Sequence, residues 1–412
     1  MKATSGAIVS LLLFTAGLAI AGCADDAPAG EGGAGGGLAE TGVGGDLAGP
    51  SVQGSGGDQP SGNSPTSTST GGGGDGGSGS GAGGSSAATS TGQGGSEVSC
   101  PLSACDTPLP DFGSERDFEH TSSDIASATG FANHRGRDMF YGPDDDVWLL
   151  GKFTYGILDK DLKDEEIDIW FLRDCGGAWE KIGTARTTEE DGSHETIEGV
   201  EDTGGWLYYQ LPADLSLGPG RHRFELVVGG DLSHTPLYVD IVPPQTPIIV
   251  SDVDGTLTTS ETEEFTDLLT GDIPASNVDS PQVLTALANK GYRVFYLTAR
   301  PEFLVGRTRE FLAQHGYPPG VVHTTLGPLG ATGDAAHEYK VGELSAIAAR
   351  GLLPSWAFGN TETDASAFFA AGIGPADRRI MFQFEDTITG DRTIQAYTEL
   401  LPEVAATDSL CP

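Results

Sequence analysis

The chain has 412 residues, of which 59 are acidic and 22 are basic, so its formal net charge is −37 at pH 7. Nucleic acid backbones are bound by basic surfaces, and this composition therefore excludes a nucleic-acid partner. The same charge disfavours purely electrostatic docking on an anionic lipid surface.

Residues 1–23 resemble an export signal. Met1-Lys2 is followed by an apolar stretch over about residues 7–20, too short to span a bilayer permanently, and the segment closes in Ala21-Gly22-Cys23. Small residues before a cysteine resemble a bacterial lipoprotein signal and lipobox, in which Cys23 becomes the acylated N-terminus. An ordinary signal peptide with an incidental cysteine is the alternative. The first interpretation predicts an exported lipoprotein of the cell envelope, periplasmic or surface-exposed, anchored in the membrane by its lipid.

Residues 24–110 are predicted to be a disordered linker. Up to about residue 99 they are almost wholly Gly, Ser, Ala, Thr and acidic residues, which cannot bury enough apolar surface to fold. As a flexible coil, about 76 such residues have a root-mean-square span of roughly 45–50 Å. We therefore assign this segment a tethering role and no chemistry.

The cysteines that follow the lipobox predict disulfides. They are Cys100, Cys105, Cys175 and Cys411. An even number of cysteines in an exported chain indicates two disulfide bonds, and three pairings remain open.

Residues 111–244 are predicted to form an antiparallel, immunoglobulin-like β-sandwich. Short runs rich in Val, Ile, Tyr, Trp and Phe alternate with Gly, Asp and Pro turns, the pattern typical of such domains. The clearest runs are 147–150, 167–172, 205–209 and 223–228. The basic segment 134–138, His-Arg-Gly-Arg-Asp, favours a solvated turn. Contact with a phosphate or with the C-terminal domain is its alternative interpretation.

Residues 245–412, which follow Pro243-Pro244, are predicted to form an α/β domain. Strands are expected near residues 248, 294, 322, 357 and 380. Helices are expected at about 280–290, 302–315, 334–350 and 363–371, each followed by a glycine suited to a helix C-terminus. Right-handed crossovers between such strands give a doubly wound parallel sheet. In such sheets the ligand site lies beyond the carboxyl ends of the strands.

Polar side chains follow three of these strands. Residues 251–256, Ser-Asp-Val-Asp-Gly-Thr, follow the first, residues 298–300 end the second, and residues 360–364 follow the strand near residue 357. Lys340 lies in the third predicted helix and is the last lysine of the chain. Two carboxylates two residues apart can hold a divalent cation while one of them attacks an electrophile. A structural calcium loop or a plain polar turn fits the first element alone, and the other elements favour a catalytic site.

Together these elements resemble the haloacid-dehalogenase-like (HAD-like) phosphohydrolases. More narrowly, they resemble the lipin/LNS2 branch, which includes Mg-dependent phosphatidate phosphatases and the C-terminal domain of some phosphatidylinositol-transfer proteins. The matching elements are Asp252 to Thr256, Leu297 to Arg300, Tyr339-Lys340, and Phe358 to Asn360 with Asp364. The resemblance covers about residues 245–405 and implies a HAD-like fold and an aspartyl-phosphate mechanism.

The resemblance also implies catalytic roles. Asp252 is expected to attack phosphorus, and Asp254 to protonate the leaving alkoxide and then activate water. Thr298 and Lys340 are expected to stabilise the phosphoryl oxygens. Simpler interpretations remain for each: a metal ligand for Asp252, a structural carboxylate for Asp254, a strand-end cap for Thr298 and a solvated lysine for Lys340.

The implied cofactor is Mg²⁺. Its expected ligands are Asp252, Asp254 through its backbone carbonyl, Asn360 and Asp364. Which of Asn360 and Asp364 touches the metal is open, and Asp364 is alternatively a helix N-cap. Three further residues are candidates for substrate binding: Gly255, Thr256 and Arg300. For Gly255 and Thr256 the favoured role is shaping the turn, and for Arg300 an ion pair with a nearby acid is equally favoured.

The sequence therefore predicts a monomeric Mg-dependent phosphomonoester phosphatase that acts on a phosphatidate-like lipid at a membrane surface. A non-catalytic lipid-binding or phosphatidylinositol-transfer-type LNS2 module is one alternative, although a pure binder does not need both Asp252 and Asp254. A phosphatase of soluble phosphosugars or nucleotides is the other.

Overall fold

The computed structural model describes residues 102–259, 273–385 and 387–411. All of them belong to one compact unit, Ala88–Pro412. The predicted lipobox with Cys23 and most of the predicted linker, 24–110, lie outside the described residues. Across the described ranges, no helix combines the length and apolarity needed to cross a membrane.

The N-terminal domain is a β-sandwich, as predicted. A helix, α1 (Thr121–Thr129), precedes the strands β1 (Arg135–Arg137), β2 (Met139–Tyr141), β3 (Trp148–Lys152), β4 (Thr154–Tyr155), β5 (Lys160–Asp161), β6 (Glu166–Leu172), β7 (Glu180–Arg186), β8 (Trp206–Gln210), β9 (Gly220–Val228) and β10 (His234–Ile241). One sheet has the order β1-β3-β8 and the other β2-β10-β9-β6-β7, while β4 and β5 form a separate hairpin. All pairs are antiparallel except β2 with β10.

The sandwich core lies between its two sheets. Ile167 and Ile169 of β6 are fully buried and belong to the same cluster as Leu149 of β3 and Leu207 of β8. Alternate residues of a strand point to the same face, so the spacing of two between Ile167 and Ile169 directs both inward. Burying side chains of this size stabilises the domain by about 1.5–3 kcal/mol each.

A disulfide attaches the segment before the sandwich to the 3₁₀ turn Arg173–Cys175, which follows β6. Cys105 is bonded to Cys175, with Cα atoms 4.4 Å apart, and Cys411 is disulfide-bonded as well. The Trp179 indole nitrogen also donates to the Pro108 carbonyl at 2.8 Å. The first described residues, 102–110, are therefore attached to the sandwich. The Cys105–Cys175 bond selects one of the three pairings that the sequence left open.

The C-terminal domain is α/β, and its doubly wound parallel sheet is confirmed. Its strands are β11 (Pro247–Ser251), β12 (Arg293–Leu297), β13 (Gly320–His323), β14 (Leu353–Gly359), β15 (Arg379–Phe382) and β16 (Arg392–Ile394). The helices are α2 (Ser280–Ala288), α3 (Val305–Gln314), α4 (Gly333–Ala349), α5 (Glu362–Ala370) and α6 (Leu401–Ala406). The sheet order is β13-β12-β11-β14-β15-β16, with every neighbouring pair parallel.

Several element boundaries differ from the sequence prediction. Helix α2 has Asp279 as its N-cap and ends at Ala288, two residues before the predicted end. A 3₁₀ turn, Glu302–Leu304, replaces the first turn of the predicted second helix. The short elements β16 and α6 were not predicted, because three to six residues carry too little periodicity to be recognised.

The basic segment 134–138 is buried between the two domains, so the solvated-turn interpretation was wrong. Arg135 and Arg137 are 5% and 9% exposed, and Asp138 is fully buried. Arg135 pairs with Glu302 and Arg137 with Glu343, both in the C-terminal domain. A charged segment can be buried at this position because its partners come from the other domain, which its local sequence does not show.

An apolar contact accompanies these ion pairs. Phe140 of β2 is 2% exposed and belongs to the same buried cluster as Phe295 and Val321 of the C-terminal sheet. The Phe140 and Phe295 ring centroids are 6.0 Å apart at 77°, an edge-to-face arrangement. The two domains therefore share part of one hydrophobic core.

We expect Phe140→Ala to lower the free energy of unfolding by about 3–5 kcal/mol, because it leaves a cavity in this shared core. Urea unfolding followed by circular dichroism measures the loss. The control is Phe131→Ala, whose side chain is 60% exposed and should change stability by no more than about 0.5 kcal/mol. Equal losses for the two variants would contradict a core role for Phe140.

Candidate active site

The site lies where the direction of strand order reverses. β11 is followed by Asp252, and its neighbour β14 is followed by Asn360. On the other side of β11, β12 is followed by Thr298. Crevices outside the carboxyl ends of strands at such a switch point are the usual ligand sites of doubly wound sheets.

Lys340 joins two of the predicted acids. Its ammonium lies 2.7 Å from Asp252 Oδ1 and 2.5 Å from Asp364 Oδ1. All three residues are at most 4% exposed. The lysine comes from α4 and the two aspartates follow different strands, so three separate elements meet at this ion triad.

Burial and charge strongly perturb the triad. Burial raises the pKa of Asp252 to about 7; the Lys340 ammonium opposes this shift, while Asp364 and Asp254 add to it. Burial alone would lower the pKa of Lys340, but the Asp252 and Asp364 carboxylates outweigh it and raise the pKa above its ordinary value. A cationic lysine therefore faces an acid that is poised to change protonation near neutrality. Such perturbed groups in a cleft are typical of functional sites.

Asp254 is held by the second motif. Its Oδ2 accepts a hydrogen bond from Thr298 at 2.8 Å, and its Oδ1 lies 2.7 Å from Nε and from Nη2 of Arg300. The other guanidinium nitrogen of Arg300 donates to the Thr308 hydroxyl at 2.9 Å. Of the interpretations of Arg300, the structure shows the ion pair with a nearby acid. Thr308 was not predicted, since nothing in its local sequence indicates this contact.

Asp364 has two structural tasks. Thr361 is the N-cap of α5 and Asp364 is its third residue, and their side chains form a reciprocal capping box. Asp364 Oδ2 accepts from the backbone nitrogens of Asn360 and Thr361 and from the Thr361 hydroxyl, while Oδ1 accepts from Lys340. Protein donors thus engage both carboxylate oxygens. Thr361 was missed, although the spacing Thr-x-x-Asp is a capping-box signal.

Asn360 is connected to Asp252 through the hydroxyl group of Thr256. The Thr256 hydroxyl is 2.8 Å from Asn360 Oδ1 and 3.3 Å from Asp252 Oδ2. Two hard oxygen atoms from neighbouring strand ends therefore flank one small hydroxyl. This arrangement favours Asn360 over Asp364 as the direct ligand of a cation bound by Asp252.

The donor set fits Mg²⁺ better than a more demanding metal. Within the described ranges, no three His, Cys, Asp or Glu side chains form a ready metal-binding group. What the structure brings together is one carboxylate, that of Asp252, and one amide oxygen, that of Asn360, both in contact with the Thr256 hydroxyl. Mg²⁺ prefers oxygen ligands and usually keeps several waters, so one or two carboxylates suffice.

Gly255 and Thr256 shape the turn that presents the two aspartates. Gly255 has φ of +67°, a left-handed conformation that favours glycine, and its nitrogen donates to the Thr258 hydroxyl. The Thr256 carbonyl accepts from Asn277 at 2.8 Å and from the Tyr397 hydroxyl at 3.0 Å. Asn277 and Tyr397 were missed, because they lie in a loop and in a C-terminal 3₁₀ turn far away along the chain.

A cavity of about 360 Å³ opens onto these groups. Its lining includes the charged residues Asp252, Asp254, Arg300, Lys340 and Asp364. Apolar residues line the same cavity, namely Pro301, Leu304, Leu329, Ala331 and Ala336. Of these, Leu329 is 90% exposed. The cavity can therefore accept a molecule with one charged end and one apolar end.

Comparison with known families agrees with this architecture. Residues 249–381 match the model of the LNS2 domain of PITM 1-3, and residues 132–241 match that of the PITM 1-3 beta-sandwich domain. The chain carries a PITM-type β-sandwich domain followed by an LNS2 domain. The resemblance drawn from the motifs is thereby confirmed at the level of the LNS2 domain.

About half of the chain also aligns with parts of much longer proteins. Protein retinal degeneration B of Drosophila melanogaster is 30% identical over 205 residues, 48% of this chain and 15% of the relative. Human membrane-associated phosphatidylinositol transfer protein 2 is 28% identical over 193 residues, 46% of this chain and 13% of the relative. Rat membrane-associated phosphatidylinositol transfer protein 1 is 26% identical over 226 residues, which cover 54% of this chain and 16% of the relative. The chain thus spans 13–16% of the length of these relatives.

Among solved structures, a Paenibacillus cycloisomaltooligosaccharide glucanotransferase aligns with 54% of this chain and 27% of its own. The identity is 10% and the TM-score 0.22. A TM-score this low supports no conclusion about fold or function.

We expect Lys340→Met to destabilise the protein by about 3–5 kcal/mol at pH 7, because it leaves buried carboxylates without their cation. Urea unfolding measures the loss. Lys160→Met is the matched control, since Lys160 is exposed on β5 and its replacement should cost no more than about 0.5 kcal/mol. A loss for Lys340→Met no larger than the control would contradict a structural role for the ion triad.

We expect Asp252→Asn to gain stability relative to the wild type as pH rises from 5 to 7.5 without divalent cations. The folded-state pKa of about 7 lies above the ordinary value, so the Asp252 contribution is present at low pH and is lost as pH approaches 7. Asn carries no such charge, and the difference should grow by on the order of 1 kcal/mol per pH unit. Thermal unfolding with a chelator measures it, with the exposed Asp377→Asn as control. A difference that is constant or shrinks with pH would argue against the raised pKa.

Proposed function

We propose that this chain is a Mg²⁺-dependent phosphatase that acts on a phosphatidate-like lipid. The observation that carries the proposal is the buried contact of Lys340 with Asp252 and Asp364, beside Asp254, in a single cavity. Lipid binding without turnover has no need for both Asp252 and Asp254. A nucleophile, a proton carrier and a fixed cation are what phosphoryl transfer to a carboxylate requires.

The charge balance of the cavity supports dependence on a cation. Three carboxylates, Asp252, Asp254 and Asp364, face two cationic groups, Arg300 and Lys340. Such a site repels a phosphate dianion unless a further positive charge is present. Asp252, Asn360 and the Asp254 carbonyl would hold Mg²⁺, which supplies that charge and lowers the repulsion between the phosphate and the attacking carboxylate.

The residues then divide the reaction between them. The Asp252 carboxylate attacks phosphorus, a new oxygen–phosphorus bond forms, and the ester bond breaks as the leaving alkoxide takes a proton from Asp254. Asp254 next removes a proton from a water molecule that attacks the aspartyl-phosphate, which releases inorganic phosphate and restores Asp252. Lys340 and Thr298 donate to phosphoryl oxygens and stabilise the developing charge.

The apolar lining of the cavity favours a lipid over a soluble monoester. Pro301, Leu304 and Leu329 line the same cavity as the charged groups, and they would contact the glycerol and acyl portions of a phosphatidate. Three relatives carry the words membrane-associated and phosphatidylinositol transfer in their names. The lipid anchor proposed at Cys23 would hold the enzyme near its substrate by raising the effective concentration.

Lipid recognition without hydrolysis is the second candidate, and one observation favours it. Arg300 and Thr298 together engage both oxygens of Asp254, so in this arrangement neither oxygen is directed at the leaving-group oxygen of a substrate. If this arrangement persists when lipid binds, the site would hold a phosphate headgroup and would not turn it over.

Phosphate release from phosphatidate vesicles and from soluble monoesters, with Mg²⁺ or with a chelator, tests the proposal. We expect Mg²⁺-dependent release from vesicles, no detectable release by Asp252→Asn, and a decrease in kcat of roughly 10²–10⁴ for Asp254→Asn. Asp377→Asn, an exposed aspartate of the same domain, should retain wild-type rates.

Vesicle flotation of the same proteins separates the two candidates. Flotation with phosphatidate vesicles but no release of phosphate would replace the phosphatase by a lipid-recognition module. Faster release from soluble monoesters than from vesicles would overturn the lipid as substrate. Release that survives in Asp252→Asn would overturn the mechanism.

A further inference from the structure

Residues 135–138 of the sandwich, Arg-Gly-Arg-Asp, form the main polar contact with the LNS2 domain, and we call them the RGRD segment. The two arginines are at most 9% exposed and Asp138 is fully buried. Burying three charged groups is unfavourable unless each has a well-placed partner. Glycine at position 136 permits the close packing, because a Cβ there would lie 2.6 Å from the Pro236 carbonyl oxygen of β10.

The first partner of the RGRD segment is Glu302. Arg135 Nε lies 3.0 Å from Glu302 Oε2, and the same guanidinium pairs with Asp159 inside the sandwich. Glu302 comes two residues after Arg300, which pairs with Asp254. The intervening Pro301 lines the cavity. The sandwich thus fixes the chain immediately beside the arginine that holds Asp254.

The second partner is Glu343. Its carboxylate lies 2.6 Å from Arg137 Nη2 and 2.6 Å from the His323 ring. Glu343 is three residues after Lys340 on α4, about 4.5 Å along the helix axis. A shift of α4 that breaks the contact with Arg137 would therefore move the Lys340 ammonium relative to Asp252.

The third partner is the end of β13. Asp138 Oδ2 accepts from the Val322 nitrogen at 3.2 Å, and the His323 ring lies 2.5 Å from the Asp138 carbonyl oxygen. The His323 carbonyl in turn accepts from the Thr298 nitrogen at 3.0 Å. The RGRD segment is therefore linked to Thr298 through a single residue of the LNS2 domain.

A different interdomain contact serves as a comparison. Arg350, at the C-terminal end of α4, pairs with Glu198 and Asp145 of the sandwich. It lies ten residues after Lys340, about 15 Å along the helix axis. This contact joins the same two domains, but it is remote from the cavity.

We infer that the RGRD segment positions the active site, so that the sandwich domain sets the placement of Thr298, Arg300 and Lys340. Its residues are positioning residues, since none of them lines the cavity among the described groups that do. Arg309 of α3 also pairs with Asp138 at 2.7 Å, and this contact serves domain attachment. The other three partners each lie within a few residues or one hydrogen bond of a different site residue, which is more than attachment requires. The kinetic consequence of this inference rests on the proposed phosphatase function, whereas the positioning itself does not.

Three variants of the full-length protein test the inference by kinetics. Arg137→Gln breaks the contact with Glu343, Arg350→Gln breaks the remote interdomain contact, and Arg137→Gln/Glu343→Gln removes both members of the first ion pair. We expect both single variants to lower Tm, but only Arg137→Gln to lower kcat, by roughly tenfold or more, with little change in KM. The double variant should regain Tm because no carboxylate is left without its arginine, while kcat stays low.

Two kinetic results would overturn the inference. One is an equal effect of Arg137→Gln and Arg350→Gln on kcat. The other is recovery of both Tm and kcat in the double variant, because the segment would then contribute only stability.

Hydrogen–deuterium exchange on the same variants decides the question without turnover. We expect faster exchange in peptides covering residues 298–304 and 338–345 for Arg137→Gln than for Arg350→Gln. Equal exchange in those peptides would overturn the inference. If the wild type releases no phosphate from any substrate with Mg²⁺, the proposed function fails, and the exchange comparison still shows whether the RGRD segment orders the site.

Discussion

The site depends on one buried ammonium group shared by two carboxylates. Without Lys340, Asp252 and Asp364 would be two buried carboxylates with no cation between them, which is unfavourable. Lys340 opposes the rise in the pKa of Asp252, but burial and the neighbouring carboxylates still raise it to about 7. The same interaction therefore permits the fold of the site and leaves it in need of a further cation.

Further hydrogen bonds and ion pairs hold the carboxylates around Lys340 in position. Asp364 is fixed by the capping box of α5, Asp254 by Thr298 and Arg300, and the turn that contains both Asp252 and Asp254 by carbonyl contacts from other loops. The RGRD segment adds contacts from a different domain. Each set of contacts uses charged or polar groups that are buried, and such groups remain stable only while all of their partners stay in place. The sandwich and LNS2 domains form one compact unit whose interdomain charges are buried.

Much of this could be predicted from the sequence where signals are local. The Asp-x-Asp-Gly-Thr turn, the strand ends at Thr298 and Asn360, and Lys340 on a helix all follow from short patterns, and the parallel sheet follows from alternating strands and helices. The burial of the RGRD segment between the two domains could not be predicted in this way. Two arginines near a glycine are typical of a solvated turn, and only the acidic partners from residues 302 and 343 make their burial favourable.

The sequence by itself determined the two domains, the order of their elements and the residue types that reach the ends of the parallel strands, because these depend on periodicity and on neighbours along the chain. Only the tertiary structure decided that Lys340 contacts both Asp252 and Asp364, that Arg300 holds Asp254, and that Thr256 links Asn360 with Asp252. It also decided which cysteine pairs with Cys105. These choices depend on contacts between residues that are far apart in the chain, 46 positions for Asp254 and Arg300 and 104 for Thr256 and Asn360, and no local pattern encodes such distances.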